Sequence, residues 1–401
     1  VLYSTEFYLP FLIGALLVYW LVLKTARARI AFLAGGSMLF LLVAQLTSVT
    51  AEFAAVATGA LFALSAGVFW AGQRIRERPA LLHLFLFIVV PLSGLTFFKY
   101  LLPTLAWGGL LPQIAVPMGI SYYTFKHIHY LIECSRGNFK DARFTEYLSY
   151  IYFFPMFTAG PIERFSNFVT QVRNVSPSFT NISEGLERIV FGLLKKFIVA
   201  DLVLIPLLPP ISIIQGGAPD LGWTQVLLAS FLRFLITYFD FSGYTDMVLG
   251  TGRFFGIRLM ENFNFPLLRP NLAEFWRAWH ISLSSWARDY IYFPILGRYR
   301  TPSLALLATM CTIGCWHSPA PGWAFWGLHH GTGLVILSFW HRAVQRNAFM
   351  STLRSSVPWR IGSTLVTWWY VSIGYALTFE AHAIGTSFGL YVKLLTFGLA
   401  S

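Results

Sequence analysis

Four of the chain's nine histidines fall between Asn271 and Gly331, and two of them, His280 and His317, directly follow a tryptophan. Imidazole is the side chain best matched to taking a proton from an alcohol near neutral pH. The flanking sequence, NLAEFWRAWHISLSSWARDYIYFPILG and then GCWHSPAPGWAFWGLHHG, surrounds those rings with hydroxyls and indoles. A helix over Leu272 to Ile291 would set Trp276, His280 and Ser284 at i, i+4 and i+8 on one face, with Trp279 and Leu283 beside them. His280 is then expected between indole walls with a hydroxyl one turn away. Glu274 and Arg277 are i, i+3 partners, and Arg288, Asp289 and Tyr290 form a polar cluster at the far end. The forks of Arg277 and Arg288 suit a phosphate-bearing ligand, although each arginine taken singly reads equally well as a loop charge. His317 closes the apolar run Leu304 to Trp316, with Ser318 next to it, and this run falls short of the roughly 20 residues of a full span. Such a run predicts an indented membrane at that point. A base there, beside a thioester carbonyl, would let a hydroxyl attack directly and would contribute ~10² to 10⁴ in rate. The expectation is that His317 and His280 carry the chemistry, with Trp276, Trp279, Ser284, Trp316 and Ser318 around them. His329 and His330 are expected to serve as wall or packing residues.

The setting explains why these histidines stand out. Hydrophobic residues make up 56% of the 401 and charged residues 11%, with a mean hydropathy of +0.62. Soluble domains carry about 25% charged residues, so this is a polytopic all-α membrane sequence. Ionisable groups at membrane depth are costly and mark working positions. The net charge of +12 does not point to nucleic acid, because the Lys and Arg are spread over short loops and form no basic face with stacking aromatics. Three cysteines, Cys134, Cys311 and Cys315, are too few for a disulfide framework or a zinc site, and Cys311 and Cys315 at i, i+4 read as core packing. No metal site is expected. The chain has no H-E-x-x-H, no G-x-S-x-G, no Walker A and no G-x-G-x-x-G after a strand.

Taken in order, spans are expected at Phe7 to Leu23, Ile30 to Gln45, Phe53 to Gly72 and Leu81 to Leu102, the last with Pro91 and Gly94 inside it. The first run follows Glu6 without a basic n-region, so it reads as a span and not as a cleavable leader. Lys24, Arg27 and Arg29 in one loop and Arg74, Arg76 and Arg78 two spans later put both loops in the cytoplasm and the N-terminus outside. From Leu111 the segment VPMGISYYTFKHIHYLIE mixes Lys126, His127, His129 and Glu133 into apolar sequence. Its two histidines are expected to hold helix ends or loop backbone, with a second reactive pair as the alternative. Tyr147 to Gly160 reads as a broken or re-entrant element followed by an interfacial segment, and Ile189 to Leu208 as a span carrying Lys195, Lys196 and Asp201. Lys196 and Asp201 are off the i, i+4 register, so no local salt bridge is assured between them. A loop follows at Pro206, Pro209, Pro210, Gly216 and Gly217. In Trp223 to Leu249, Asp240, Ser242, Tyr244 and Asp246 either bond helix to helix around Gly243 or line a cavity. Ser363 to Phe379 and Ile384 to Leu399 close the chain after a loop carrying Arg342, Arg346, Arg354 and Arg360. The total is about eleven helices plus re-entrant or interfacial ones. They are read as one domain over 1–401, with N-terminal helices in 1–110, a catalytic core at about 111–345 and C-terminal helices in 361–400.

The blocks PMGISYYTF, FFPMFTAGPIERF, GLLKKFIVAD, FDFSGYTDMVLGTGRFFGIRLMENFNFP, EFWRAWHISLSSWARDYIYFP, CWHS and WGLHHG cover most of the chain. Together they resemble the membrane-bound O-acyltransferases, in particular the bacterial branch that acts on alginate and on teichoic acids. The resemblance implies a ring of about eleven helices around a locally thinned membrane, with a funnel for the acyl donor on the cytosolic face and a tunnel to the other. It implies transfer of an acyl group, most simply acetyl, from a thioester (acetyl-CoA or an acyl carrier protein) toward a cell-envelope polysaccharide, directly or through an extracytoplasmic partner protein. D-alanyl transfer to a teichoic-acid-type polymer is the alternative. No tightly bound cofactor is implied, and the location is the bacterial cytoplasmic membrane. The essential histidine of the family's W-H-G motif falls on His317 and the second polar residue of the site on His280, while His330, in the H-G of the family's closing motif, is implied to be the better site candidate of the last pair. Two positions depart from the pattern: Ser318 stands where the motif has glycine, and Glu380 stands in place of an arginine. Readings from other classes are a transporter or flippase using the histidines as proton relays, and a non-catalytic membrane scaffold. Inverted repeats would favour a transporter, and none is evident in the sequence.

Overall fold

The computed structural model describes residues 6–47, 49–102, 117–209, 222–344, 348–379 and 384–399. Glu380 and the expected loop positions Pro210, Gly216 and Gly217 lie outside them. The regular structure of the described residues is helical, without strands. Two compact units emerge, one of Val1–Val190 with Asp246–Met260 and one of Phe191–Thr245 with Glu261–Ser401.

The first unit opens with α1 (Tyr8–Leu17, continued as a π-helix through Val22), α2 (Ala26–Leu46), α3 (Ala51–Glu77) and α4 (Leu81–Thr96, continued through Leu101). Thr25 and Thr50 cap α2 and α3 by accepting the amides of Ala28 and Phe53, satisfying donors that a helix start leaves open. Glu52 in the first turn of α3 and Arg74 and Arg76 in its last complement the helix dipole. Pro91 lies inside α4, as the sequence suggests, without ending it. These helices pack on α5 (Ile120–Ser135) and α6 (Phe144–Tyr152), and α7 (Phe165–Arg173) follows. The expected break after Tyr147 falls at Tyr152, where a 3-10 turn at Phe154–Met156 takes over.

The polar residues of α5 serve this packing. Buried Lys126 donates from Nζ to the carbonyls of Tyr150 and Ile151, at 3.0 and 3.2 Å, near the C-terminal end of α6. His127 Nδ1 bonds the Tyr147 hydroxyl, and His129 Nε2 accepts the amide of Phe165, the first residue of α7, at 3.1 Å. His129 therefore holds a helix start, as expected, whereas His127 bonds no helix end or loop backbone and instead ties α5 to α6 through a side chain.

The second unit begins within α8 (Phe179–Leu193), which runs on as a π-helix over Leu194–Leu204. That change of winding settles the Lys196–Asp201 question. A π-helix repeats its bonds at i+5 and not i+4, so a five-residue spacing faces one way and Lys196 reaches Asp201 at 2.9 Å. The same ammonium also pairs with Asp240 of α9 (Trp223–Phe254). Gly243 lets α9 come this close, since a Cβ there would lie 2.8 Å from both the Gly192 carbonyl and the Lys196 amide. The remaining helices are α10 (Leu272–Ala278), α11 (Ile281–Ala287, continued as a π-helix through Tyr292), α12 (Phe293–Tyr299), α13 (Pro302–His317), α14 (Pro321–Val344), α15 (Ala348–Ser355), α16 (Val357–Ala376) and α17 (Ile384–Leu395).

Among the described residues four helices are long and apolar enough to cross a membrane: Ala26–Leu46, Ala51–Glu77, Leu81–Leu101 and Trp223–Phe254. Of the other expected spans, Phe7 to Leu23 and Ile189 to Leu208 run on into π segments, Ser363 to Phe379 begins inside the 20-residue helix Val357–Ala376, and Ile384 to Leu399 is the shorter helix Ile384–Leu395.

Candidate active site

The single helix expected over Leu272 to Ile291 does not form. It is broken at His280, which takes the left-handed conformation (φ 43°, ψ 52°) between α10 and α11. The i, i+4, i+8 face of Trp276, His280 and Ser284 is therefore lost, and the physical reason is visible in the amides around the break. Buried Asn262 takes them up: its carbonyl accepts Ile281 N–H at 2.9 Å and its side-chain oxygen accepts Ser282 N–H at 3.3 Å, while Asn264 N–H returns to the Ala278 carbonyl. These bonds replace those a continuous helix would have made. A left-handed non-glycine residue costs of order 1–3 kcal/mol and persists only where its surroundings over-determine it. Ser284 is turned to a local task, donating to the Trp279 carbonyl at 3.1 Å.

The break aims the His280 ring at Phe241 (centroids 4.8 Å apart, 72° between planes) and Trp316 (6.4 Å, 69°). The residue is 4% exposed, and neither ring nitrogen bonds another described residue. The ring of His317, the next residue in the chain, lies 4.7 Å from that of Trp316. It also stacks on Trp323 (4.7 Å, 27°) and meets Trp326 edge-on at 5.5 Å. The two Trp-His pairs, far apart in sequence, thus share Trp316.

Glycine makes this convergence possible. α13 and α14 pack through Gly314, Gly327 and Gly331. A Cβ at Gly314 would lie 2.3 Å from the Trp323 carbonyl, and one at Gly327 would lie 2.4 Å from the Met310 carbonyl. Gly327 and Gly331 form a G-x-x-x-G, the spacing at which membrane helices approach backbone to backbone, and His329 and His330 sit inside it.

Those two histidines have different environments. His329 Nε2 faces the Tyr370 carbonyl at 2.9 Å and must donate to it, so Nδ1 accepts from the Tyr391 hydroxyl at 2.9 Å. The Tyr370 hydroxyl in turn donates to the His329 carbonyl, and the two rings stack at 4.0 Å. His329 is a packing residue with both nitrogens occupied. His330 is fully buried between Trp326 (4.5 Å) and Trp276 (5.2 Å), and neither its nitrogens nor the indole N–H groups of those tryptophans find a partner among the described residues. Buried polar groups are otherwise almost always paired. His280, His330, Trp276 and Trp326 therefore present uncommitted hydrogen-bonding groups, as a site for a polar ligand inside an apolar core requires.

The other residues singled out in the sequence divide. Trp279 is buried against Phe275 and Phe263 and serves as the wall behind His280. Asp240 is half exposed and held by Lys196, and Tyr244 is buried beside Phe241. Arg277 is exposed, and Arg288 is exposed and paired with its neighbour Asp289 at 2.9 Å; neither is brought onto the histidine cluster. Ser318 has extended backbone (φ −159°), which any residue adopts, and its hydroxyl accepts the Ala320 amide at 3.2 Å. Serine in place of the motif's glycine therefore meets no backbone obstacle and stabilises the turn into α14. Sequence reasoning missed Asn262, Trp326, Tyr370 and Tyr391; the G-x-x-x-G spacing was the one signal able to place Trp326 beside His317.

The family profile described as MBOAT, membrane-bound O-acyltransferase family, matches residues 80–378. A probable alginate O-acetylase of Azotobacter vinelandii is 33% identical over 350 residues, 82% of this chain and 67% of that protein. A teichoic acid D-alanyltransferase of Streptococcus thermophilus is 32% identical over 56% of this chain and 57% of its own length. A peptidoglycan O-acetyltransferase of Helicobacter pylori is 30% identical over 64% of this chain and 52% of its own. The chain thus spans about half to two thirds of the length of these curated relatives.

Proposed function

We propose, for a chain that belongs to the membrane-bound O-acyltransferase family, that His317 is the general base of an acyl transfer from a thioester to a hydroxyl of a cell-envelope polysaccharide. The observation that carries this reading is the meeting of His280 and His317 on Trp316, next to buried nitrogens committed to no other described residue. The acyl group is most simply acetyl, delivered by acetyl-CoA or an acyl carrier protein from the cytosolic face of a bacterial cytoplasmic membrane. The acceptor lies on the opposite face and is reached directly or through a partner protein.

In this reading the imidazole of His317 takes the proton of the acceptor hydroxyl as its oxygen adds to the thioester carbonyl. The developing oxyanion is met by N–H donors in a site of low dielectric, where such bonds are strongest. Collapse of the tetrahedral species breaks the carbon–sulfur bond, and the departing thiolate takes its proton from the imidazolium. His280 orients the reacting groups, fixed in place by its own backbone. Trp276, Trp326 and His330 supply further donors around the carbonyl.

The test is acyl transfer from labelled acetyl-CoA in proteoliposomes. His317→Ala is expected to lower turnover by ~10² to 10⁴ while the protein elutes and melts as the wild type does. A folded variant with full activity refutes the assignment. D-alanyl transfer favoured over acetyl in the same assay would move the chain to the teichoic-acid reading, and movement of an unmodified substrate without acyl product would mark a transporter.

A further inference from the structure

The second unit holds a large cavity of about 1260 Å³ that none of the proposed acyl-transfer steps uses. It is lined by the end of the loop before α10, by α10 itself and by α14, α15 and α16. Its walls are aliphatic and face outward: Ile336 and Val366 are each 62% exposed, and Leu337 lies beside them. On a membrane protein, apolar side chains this open face lipid. The same cavity is bordered by the guanidinium groups of Arg354 and Arg360, neither of which makes an ion pair with a described residue. Glu274 is the one carboxylate among the lining residues and accepts from the Asn271 side chain at 2.7 Å, so with two guanidinium groups the site keeps a net positive charge. Two indoles, Trp340 and Trp359, line the opening as well, and tryptophan collects where acyl chains give way to headgroups.

We infer that this cavity is a binding site for an anionic phospholipid, with the phosphate on Arg354 and Arg360 and the acyl chains along Ile336, Leu337 and Val366. Basic pockets between membrane helices recognise such headgroups, and guanidinium matches phosphate oxygens in a bidentate fashion. A neutral lipid would offer the two guanidinium groups no anion, and a zwitterionic one would add a cation of its own beside them. A soluble phosphate compound would leave the aliphatic walls in water. The volume exceeds the roughly 300–1,000 Å³ of ordinary small-molecule clefts, as an occupant with both a headgroup and chains requires. Gly333 and Tyr370 also line the cavity, so its occupant meets the tyrosine whose hydroxyl and carbonyl bond His329.

The site is tested by native mass spectrometry of the purified protein released from micelles containing equal amounts of phosphatidylglycerol and phosphatidylcholine. The wild type is expected to retain phosphatidylglycerol at least several-fold in preference. Arg354→Ala with Arg360→Ala should abolish the preference, and Arg354→Lys with Arg360→Lys should keep part of it. Should the alanine pair fail to fold, Val366→Trp fills the aliphatic wall with both charges intact and must lower phospholipid retention. Unchanged preference in a folded alanine variant, or unchanged phospholipid retention in the folded tryptophan variant, overturns the inference. Loss of the lipid from the wild type on adding excess coenzyme A also overturns it, by assigning the cavity to a thioester donor.

Discussion

His280 joins chemistry and backbone in a single residue. It carries an imidazole with no other described partner, and it occupies a left-handed conformation that histidine, asparagine and aspartate tolerate better than most side chains. Two substitutions separate the roles. His280→Asn keeps the tolerance and a polar group, whereas His280→Leu keeps bulk and loses both. Activity should fall in each, but melting should drop clearly, by more than the asparagine variant shows, only in the leucine protein. Equal melting temperatures would mean that the left-handed turn places no demand on side-chain type.

A second residue-scale consequence concerns acid. Burial works to raise the Glu146 carboxyl, but its bonds to Arg173 and to the Arg143 backbone amide outweigh that and hold it below the ordinary carboxylate range. A depressed carboxyl contributes stability that is fully present above its unfolded pKa of about 4.3 and is lost as pH falls through the folded value. Glu146→Gln is thus expected to flatten the fall in stability below about pH 4.3. The check is thermal melting in detergent across that range, wild type against variant.

At the scale of elements, the glycine contact between α13 and α14 decides whether the histidines meet. Gly327→Val would place a branched side chain on the Met310 carbonyl, and the helices would have to separate. The expected result is a large loss of turnover together with a lowered melting temperature. Gly297→Ala, at a glycine with open space around its Cβ position, serves as the control and should leave both unchanged.

At the scale of the whole molecule, the chain belongs to the membrane-bound O-acyltransferase family and has helices long and apolar enough to cross a membrane, so the proposed transfer has a direction to test. With labelled thioester confined to one face of a sealed vesicle, esterified acceptor should accumulate on the other face in proportion to donor consumed. Ester product confined to the donor face would place both half-reactions on one side and contradict transfer across the bilayer.

Much of this was legible in the residues. Low charge and long apolar runs require helices in lipid, because only internally bonded backbone survives there. The motif blocks identify the family, and the two Trp-His pairs fall within the site proposed here. Periodicity did not reveal the break at His280, because helical spacing is a local rule and the bonds that stabilise the break come from Asn262, 18 residues away. Nor could spacing show that His329 is consumed by Tyr370 and Tyr391 while its neighbour His330 is not, since the two differ only in which helix each ring faces. The sequence determined which groups are available for chemistry and that they work inside a membrane. Only the packing of distant helices decided which of those groups are used up holding the protein together and which remain for a ligand.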